Sequence, residues 1–325
     1  YGIDEKGVGV PVVSDMAVVE LDRGRAPNRV YMDRAAYEAD GVFLINRVKP
    51  HTSFHGRYES GLVKMAVIGL GKEKGALEIH RYGAAGLRTR LEPTARQIFA
   101  SGKVIGGLAL VENAYDETMA VRGLDPAGIL TEEPALLALA KENMPGLPVE
   151  TLDVLVVDRI GKNISGVGLD TNIIGRLGIR GETEPETPRI GAILIDDLTD
   201  ETHGNALGMG LADVITRKLF RKIDFEAVYR NAFASTFLER AKVPVIAETA
   251  RAGLEYAIRT CGSPPPERLR LARIRDTLHL GSLMVSEAVY REIGDHSSVH
   301  SSGSCIPLFT DAGTLTAAPY APRAD

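Results

Sequence analysis

The sequence predicts an α/β fold made of two α/β domains with a cleft between them. Short apolar runs alternate with longer segments of helical periodicity, an order that is typical of α/β proteins. The chain has 325 residues, whereas a single hydrophobic core stops growing at roughly 250–300 residues. The helix-breaking stretch Asn143-Met-Pro-Gly-Leu-Pro148 precedes a new strand. We therefore expect an N-terminal domain over residues 1–147 and a C-terminal domain over residues 148–325.

The individual elements follow from the apolar patterns along the chain. The predicted strands are residues 16–21, 41–46, 105–112, 152–158, 192–196 and 244–247. The predicted helices are residues 34–39, 91–100, 133–142, 212–222, 225–241 and 250–260. Strands and helices occur on both sides of the boundary, so each domain is expected to be α/β.

The composition excludes several classes of protein. The formal net charge of −5 gives no electrostatic reason to expect nucleic acid as a partner. No apolar run approaches the roughly 20 residues that span a bilayer, and no signal peptide opens the chain. The two cysteines, Cys261 and Cys305, form no C-x-x-C pair, so neither a disulfide framework nor a structural zinc site is predicted. We expect a cytoplasmic protein that binds neither nucleic acid nor membrane.

Residues 47–83, RVKPHTSFHGRYESGLVKMAVIGLGKEKGALEIHRYG, hold a dense set of chemically active side chains. Three of the seven histidines, His51, His55 and His80, fall in this segment with four lysines and six glycines. The segment follows a predicted strand, and α/β proteins place their sites at the carboxyl ends of strands. A lone histidine is usually structural, but three imidazoles and a lysine on glycine-rich backbone favour a site here.

Two glycine motifs offer other readings of the chemistry. Gly69-Leu-Gly71-Lys-Glu-Lys-Gly75 approximates a dinucleotide loop, but residues 91–96 form a helix start where that motif needs an acidic residue at a strand end. Gly161-Lys-Asn-Ile-Ser-Gly166 lacks the residue order of a P-loop. It is predicted to be a strand-to-helix loop that can contact an anion or a substrate.

The segment of residues 47–83 resembles the signature of the nickel-pincer-nucleotide-dependent lactate racemase family. The resemblance rests on Pro50-His51, on the glycine-rich stretch to Lys64, and on His80, sixteen residues after Lys64. It implies that His51 is an acid/base histidine, that Lys64 carries the cofactor through a thioamide link, and that His80 ligates nickel.

Other residues of the segment are assigned around this signature. The step from His51 to Lys64 is three residues longer than the family pattern, so His55 competes with His51 for the acid/base role. We favour His51 because it keeps the Pro-His context. Lys49 and Gly61 are expected to contact the cofactor.

The resemblance is incomplete at its start. The family places a nucleotide-binding stretch and a second acid/base histidine upstream of the matched region, and this sequence contains neither motif. The chain begins at Tyr1 without a methionine, and its first residues are typical of the middle of a domain. We therefore expect that the first domain is truncated and that the second histidine comes from upstream or from another loop.

The resemblance continues more weakly in the second domain. Residues 153–158, the glycine-rich loop to Gly168 and the following Leu169-Asp170-Thr171-Asn172 resemble a strand, loop and helix start of the family. Lactate-active members carry a tyrosine and a lysine where this chain has Val167 and Thr171, a departure that bears on whether lactate is the substrate. The candidates for substrate binding are Lys162, Ser165, Asn172 and His203, the last in a polar loop that is as readily a surface turn.

The chemistry implied by the family suits these residue types. Square-planar nickel(II) accepts soft donors from a pincer ring and one neutral imidazole. A lysine amine suits a covalent tether, and nearby glycines let a bulky group approach the backbone. The Cα–H bond of a 2-hydroxy acid is too weakly acidic for ordinary bases. Moving hydride to the cofactor while a histidine takes the hydroxyl proton avoids the carbanion.

The function expected from the resemblance is that of an isomerase: a racemase or epimerase of a 2-hydroxy acid that uses a nickel-pincer nucleotide. Two alternatives are a nicotinamide-dependent oxidoreductase that uses the loop at 69–75, and a non-catalytic homologue that binds a nucleotide or metabolite. The expected partners are the small hydroxy acid and, from the family, cofactor-biosynthesis proteins. The sequence does not fix the oligomeric state.

Overall fold

The structure, a computed structural model, describes residues 3–294, 296, 299–301, 305–318 and 320. These residues confirm the α/β fold class. They divide into two compact units, and the chain passes into unit 2 at Asn143, the first residue of the helix-breaking stretch. Unit 1 runs up to Glu112 and includes Thr118–Glu142, while unit 2 holds Asn113–Glu117 and the residues from Asn143 onward. The cleft stays a prediction.

Unit 1 consists of two small sheets and the helices that precede, connect or follow their strands. Strands β1 and β2 form an antiparallel ribbon, and a second sheet has the order β3-β4-β5, with β3 and β4 parallel and β5 antiparallel to β4. The strands are β1 (Val18–Leu21), β2 (Val30–Asp33), β3 (Val42–Arg47), β4 (Val104–Glu112) and β5 (Thr118–Leu124). The helices are α1 (Glu5–Val8), α2 (Arg34–Glu38), α3 (Leu62–Lys64), α4 (Lys72–His80), α5 (Gly83–Ala100) and α6 (Pro126–Glu142), with a π-helical turn at Met65–Gly69 between α3 and α4.

The core of unit 1 lies under α5 and α6. Helix α6 presents an apolar stripe with three- and four-residue spacing, which packs on β4. Helix α5 contributes Leu87, Leu91, Ala95 and Ile98 to the same cluster of buried side chains. The short helix α3 buries Leu62 and Val63 in this core, so Lys64, the next residue, is held at its edge.

Unit 2 contains a larger sheet, which its described residues form in the order β11-β10-β6-β7-β8-β9. All neighbouring pairs are parallel except β10 and β11. The strands are β6 (Thr151–Ile160), β7 (Arg189–Leu198), β8 (Val214–Thr216), β9 (Val245–Ala247), β10 (Leu271–Ile274) and β11 (Leu283–Val285). The helices are α7 (Thr171–Ile174), α8 (Arg217–Phe220), α9 (Phe225–Ser235), α10 (Ala250–Thr260) and α11 (Glu287–Ile293), with 3-10 turns at Asp200–Thr202, Met209–Leu211 and Leu238–Ala241.

The central strands of unit 2 are buried on both faces. In β6, Leu155 and Val157 join one apolar cluster, while Val154 and Val156 join the cluster on the opposite face. This is the pattern expected of a parallel strand covered on both sides, and it explains the continuous apolar run in the sequence.

The predicted elements agree with the structure in most places. Every predicted strand is present, and the helix predicted at 250–260 has the observed bounds. The helices at 91–100 and 133–142 extend further toward the N-terminus, starting at Gly83 and Pro126. No helix in the described parts of the chain combines the length and apolar character needed to cross a membrane.

One predicted helix, at 212–222, is wrong in its first half. Val214–Thr216 is strand β8, because these three β-branched residues fit the gap between β7 and β9. The Thr216 side chain then accepts a hydrogen bond from the Leu219 backbone N–H and caps α8. The helix predicted at 225–241 ends at Ser235, where Thr236 adopts a left-handed conformation.

Candidate functional site

The site in unit 1 is built on the loop that joins β3 to α3. Lys49 and Ser60 exchange two backbone hydrogen bonds, of 3.0 and 3.2 Å, which close the ends of the loop on each other. The Asn46 side chain donates to the Gly61 carbonyl oxygen at 3.0 Å. The loop therefore begins after the carboxyl end of β3, has its two ends paired with each other, and carries His51 and His55.

A buried carboxylate, Glu59, holds this loop together. It accepts the backbone N–H of His51 at 2.7 Å and that of Gly56 at 3.2 Å. Lys141 Nζ donates to it at 2.7 Å, and His55 Nδ1 lies 3.3 Å from it. Burial alone would raise the pKa of Glu59, but the hydrogen bonds from His55 and Lys141 outweigh burial and lower it. Glu59 is thus an ionised acceptor, so the contact with His55 requires a proton on Nδ1 of His55.

His51 and Lys64 meet in a contact of 2.8 Å between Nε2 and Nζ. The other ring nitrogen of His51, Nδ1, accepts the Ser53 backbone N–H at 3.0 Å. A neutral imidazole has one donor and one acceptor nitrogen, so Nε2 of His51 carries the proton. The contact is then satisfied by a lysine in its amine form. Burial, and next the charge of Lys49, lower the pKa of Lys64 to about 8, which brings that form within reach of neutral pH.

His80, the last residue of α4, completes this group. Its Nδ1 is buried and has no hydrogen-bond partner among the described residues. Burial, and next the charge of Lys64, lower the pKa of His80, so the ring is held neutral. A neutral imidazole is the form that binds a metal ion. No cluster of three or more His, Cys, Asp or Glu side chains that could hold a metal occurs among the described residues.

A second buried carboxylate, Glu133, fixes the helix that carries Lys64. It accepts the backbone N–H groups of Leu62 and Val63 at 2.6 and 3.1 Å, the first turn of α3. A Cβ on Gly61 would lie 2.5 Å from Glu133 Oε1, so a larger residue at this position would displace the Glu133 carboxylate. The structure thus gives Gly61 a packing role, while its contact with a cofactor stays a prediction. Burial raises the pKa of Glu133 to about 7 despite these two hydrogen bonds.

The four candidates in unit 2 do not form one group. Lys162 Nζ donates to the Gly166 carbonyl oxygen at 2.6 Å, and burial, with the charge of Arg240, lowers the pKa of Lys162 to about 8. The Lys162 backbone N–H donates to Thr202 Oγ1 at 3.2 Å, so the loop that contains Thr202 and His203 touches the Lys162 loop. His203 itself is exposed, with a φ of 49°. Ser165 is buried in the Lys162 loop.

Asn172 lies elsewhere in unit 2. Its side chain donates to Asp170 Oδ1 at 2.9 Å, within the cap of α7. It also lines a pocket of about 380 Å³ with residues that precede β6 and β7, including Pro148 and Pro188. The structure therefore does not bring Asn172 to the Lys162 loop.

Sequence reasoning missed Glu59, Lys141 and Glu133. Glu133 had a readable signal, because it lies three or four residues from Leu130, Leu136 and Leu137 on the apolar stripe of α6. A charged residue on such a stripe is rarely buried without a partner. Searches against models of known protein families and among curated proteins found no match for this chain.

Proposed function

We propose that the protein is a racemase or epimerase of a 2-hydroxy acid that works with a covalently tethered nickel-pincer nucleotide. The observation that carries the proposal is the group formed by His51, Lys64 and His80. A half-buried lysine with a lowered pKa contacts a histidine, and its charge acts on a second imidazole whose buried nitrogen lacks a protein partner. These are the three residues whose spacing resembles the racemase family.

The chain's own residues fit such a group. Lys64 would attach it, because an amine with a pKa of about 8 is nucleophilic near neutral pH. His80 would supply one neutral imidazole to nickel, which is consistent with its unpartnered Nδ1 and its lowered pKa. When bound, the nucleotide supplies a carbon that takes up and returns the Cα hydride of the substrate.

The two histidines of the loop are held in complementary states for moving the hydroxyl proton. His51 presents a proton on Nε2, because Ser53 occupies its Nδ1. His55 presents a lone pair on Nε2, because its Nδ1 faces the carboxylate of Glu59. The hydroxyl proton of a substrate can pass to a neutral imidazole of this loop, and the imidazolium that forms can return the same proton to the oxygen of the 2-keto acid. Glu59 links the two, since it also binds the His51 backbone.

We assign the substrate to the class of 2-hydroxy acids and not to one compound. Val167 and Thr171, which replace the tyrosine and lysine of lactate-active members, are both buried in unit 2. Neither side chain is in a position to hold an exposed substrate group. This supports a substrate other than lactate.

The structure does not favour the nicotinamide alternative. A dinucleotide loop follows a strand and opens a helix. Gly69 instead ends the π-helical turn, and Gly71 directly precedes α4, so the motif links two helical segments. A bound pyrophosphate would lack the strand-to-helix crevice that it needs.

Intact-mass analysis and nickel quantification of the purified chain test the proposal. We expect a nucleotide adduct on Lys64, stoichiometric nickel, and racemisation in a screen across 2-hydroxy acids. Dissociable NAD without an adduct would favour the oxidoreductase. An adduct with nickel but without turnover on any hydroxy acid would favour the non-catalytic homologue.

A further inference from the structure

The loop that follows β6 in unit 2, residues 161–168, is closed by its own backbone. The Gly161 N–H donates to the Gly168 carbonyl oxygen at 3.2 Å, which joins the two ends. The Gly161 carbonyl oxygen accepts the N–H groups of Ile164 and Ser165 at 3.0 and 3.2 Å. The Gly168 N–H donates to the Ser165 carbonyl oxygen at 2.8 Å. The loop begins at the carboxyl end of a parallel strand, the edge of the sheet where α/β proteins bind ligands.

Lys162 places an ammonium group over this loop. Its Nζ donates to the Gly166 carbonyl oxygen at 2.6 Å. The four backbone bonds already close the loop, so closure does not require a charged side chain. An ammonium has three N–H donors, and one carbonyl satisfies one of them. Within the part of the chain that the structure describes, no second acceptor and no carboxylate pairs with Lys162 Nζ.

The charge that acts on Lys162 is another cation, Arg240. This arginine is fully buried, and two of its nitrogens donate to the Leu177 carbonyl oxygen. Glu184 acts on the charge of Arg240, whereas no described carboxylate acts on that of Lys162. Burial, and next the charge of Arg240, lower the pKa of Lys162 to about 8. A half-buried cation beside another cation is stabilised by an anion, because buried charges are costly unless they are paired.

Ser165 supplies a second donor in the same loop. The residue is only 6% exposed, and its hydroxyl forms no hydrogen bond with any described residue. Solvent still reaches the hydroxyl oxygen, because the fully buried side-chain N and O atoms without a partner in the described chain are those of His80 and Glu133. Ser165 directly precedes Gly166, whose carbonyl holds the ammonium. An ammonium and an unused hydroxyl donor are therefore held in one closed loop.

We propose that Lys162 and Ser165 bind the carboxylate of a small organic acid. One carboxylate oxygen accepts an N–H of the Lys162 ammonium, and the other accepts the Ser165 hydroxyl proton. A carboxylate carries one negative charge, which one ammonium balances, whereas the higher charge of phosphate would stay partly uncompensated. That the acid is a 2-hydroxy acid rests on the proposed function. The binding site itself rests on unit 2 alone.

Competitive labelling of lysines on the full chain tests this site. The protein is acetylated with a trace of an N-hydroxysuccinimide ester, and the rate at each lysine is read by peptide mass spectrometry. Glycolate, the smallest 2-hydroxy acid, is titrated at an ionic strength held constant with sodium chloride. We expect saturable protection of Lys162, since a bound carboxylate covers its amine, and none at Lys242, an exposed lysine of unit 2. No protection of Lys162, or equal protection of both lysines, would overturn the site.

Phosphate tests the choice of ligand. At the same ionic strength it should protect Lys162 less than glycolate does, because one ammonium and one hydroxyl do not balance its charge. Equal or stronger protection by phosphate would contradict the assignment to a carboxylate.

A pair of serine variants tests the second donor. Ser165→Ala should raise the glycolate concentration for half-protection of Lys162 roughly 3- to 30-fold, because a hydrogen bond to a charged group is lost. The Ser165 hydroxyl binds no described group, so its removal breaks no described contact of the loop. Ser235→Ala, at a serine whose hydroxyl donates to the Ala232 carbonyl oxygen, should leave the half-protection concentration unchanged. An unchanged value in Ser165→Ala would contradict the role of Ser165.

The result is separable from the proposed function. Glycolate protection confined to Lys64 would place the acid in unit 1 and refute this site, while leaving the nickel-pincer proposal intact. Protection of Lys162 in protein that carries neither adduct nor nickel would support the site even where the proposed cofactor fails.

Discussion

Lys64 Nζ lies 2.8 Å from His51 Nε2, while the Ser53 backbone N–H occupies the other nitrogen of the same ring. The pair is satisfied when the imidazole keeps its proton on Nε2 and the lysine is an amine. This relationship joins the proposed attachment point to the proposed acid/base residue, and it favours the amine form of Lys64, whose pKa is lowered to about 8 by burial.

The roles of the two loop histidines are tested by a pair of variants in cofactor-loaded protein. His51→Ala should lose roughly 10²–10⁴-fold in racemisation rate, the usual contribution of a general acid or base. His55→Ala should lose less, because its half-exposed ring can be replaced by water. Nickel occupancy is verified in both. An inactive His55→Ala beside an active His51→Ala would show that the longer spacing has moved the role.

A second pair of variants separates attachment of the cofactor from binding of nickel. Lys64→Ala should abolish the covalent adduct in intact-mass spectra, because it removes the amine proposed to carry the cofactor. His80→Ala should lower nickel content by metal analysis and still permit the adduct, since Lys64 remains. Lys103→Ala, at a lysine that donates to the Ala39 carbonyl oxygen, serves as the control and should change neither. Full nickel content in His80→Ala would refute its role as ligand.

Glu59 should matter for stability far more than an exposed carboxylate. Glu59→Gln weakens the bonds to Lys141 and His55 in a fully buried position, so we expect the free energy of unfolding to fall by about 1–3 kcal/mol in urea denaturation. Glu112→Gln, which breaks the partly exposed pair with Arg47, should cost less than about 1 kcal/mol. Equal losses would show that Glu59 does not organise the loop.

Glu133 should make stability depend on pH. Its folded pKa of about 7 exceeds the ordinary value of 4.5, so the folded state binds more protons between those two pH values. The free energy of unfolding should therefore fall as pH rises from about 4.5 to 7, by at most about 3 kcal/mol. Glu133→Gln should remove this part of the slope. An unchanged slope in unfolding curves measured across that range would contradict the raised pKa.

The fold followed from local patterns to a large extent. The strand at residues 41–46 and the helix at 250–260 were predicted from the apolar spacing of the sequence, which acts within a few residues. Short strands were not predicted where only pairing with neighbouring strands makes the segment a strand. Residues 271–274 become β10 because β6 and β11 pair with them on either side.

The sequence by itself determined the α/β class, most strands and the segment that holds His51, Lys64 and His80, because hydrophobic periodicity and motif spacing are local properties of the chain. Only the tertiary structure decided which side chains complete that segment. Glu59 binds Lys141 across 82 positions, Glu133 caps Leu62 across 71, and Arg159 reaches Asp276 across 117. A buried carboxylate takes its partners from whichever elements the folded core places beside it, and no local pattern in the sequence records that choice.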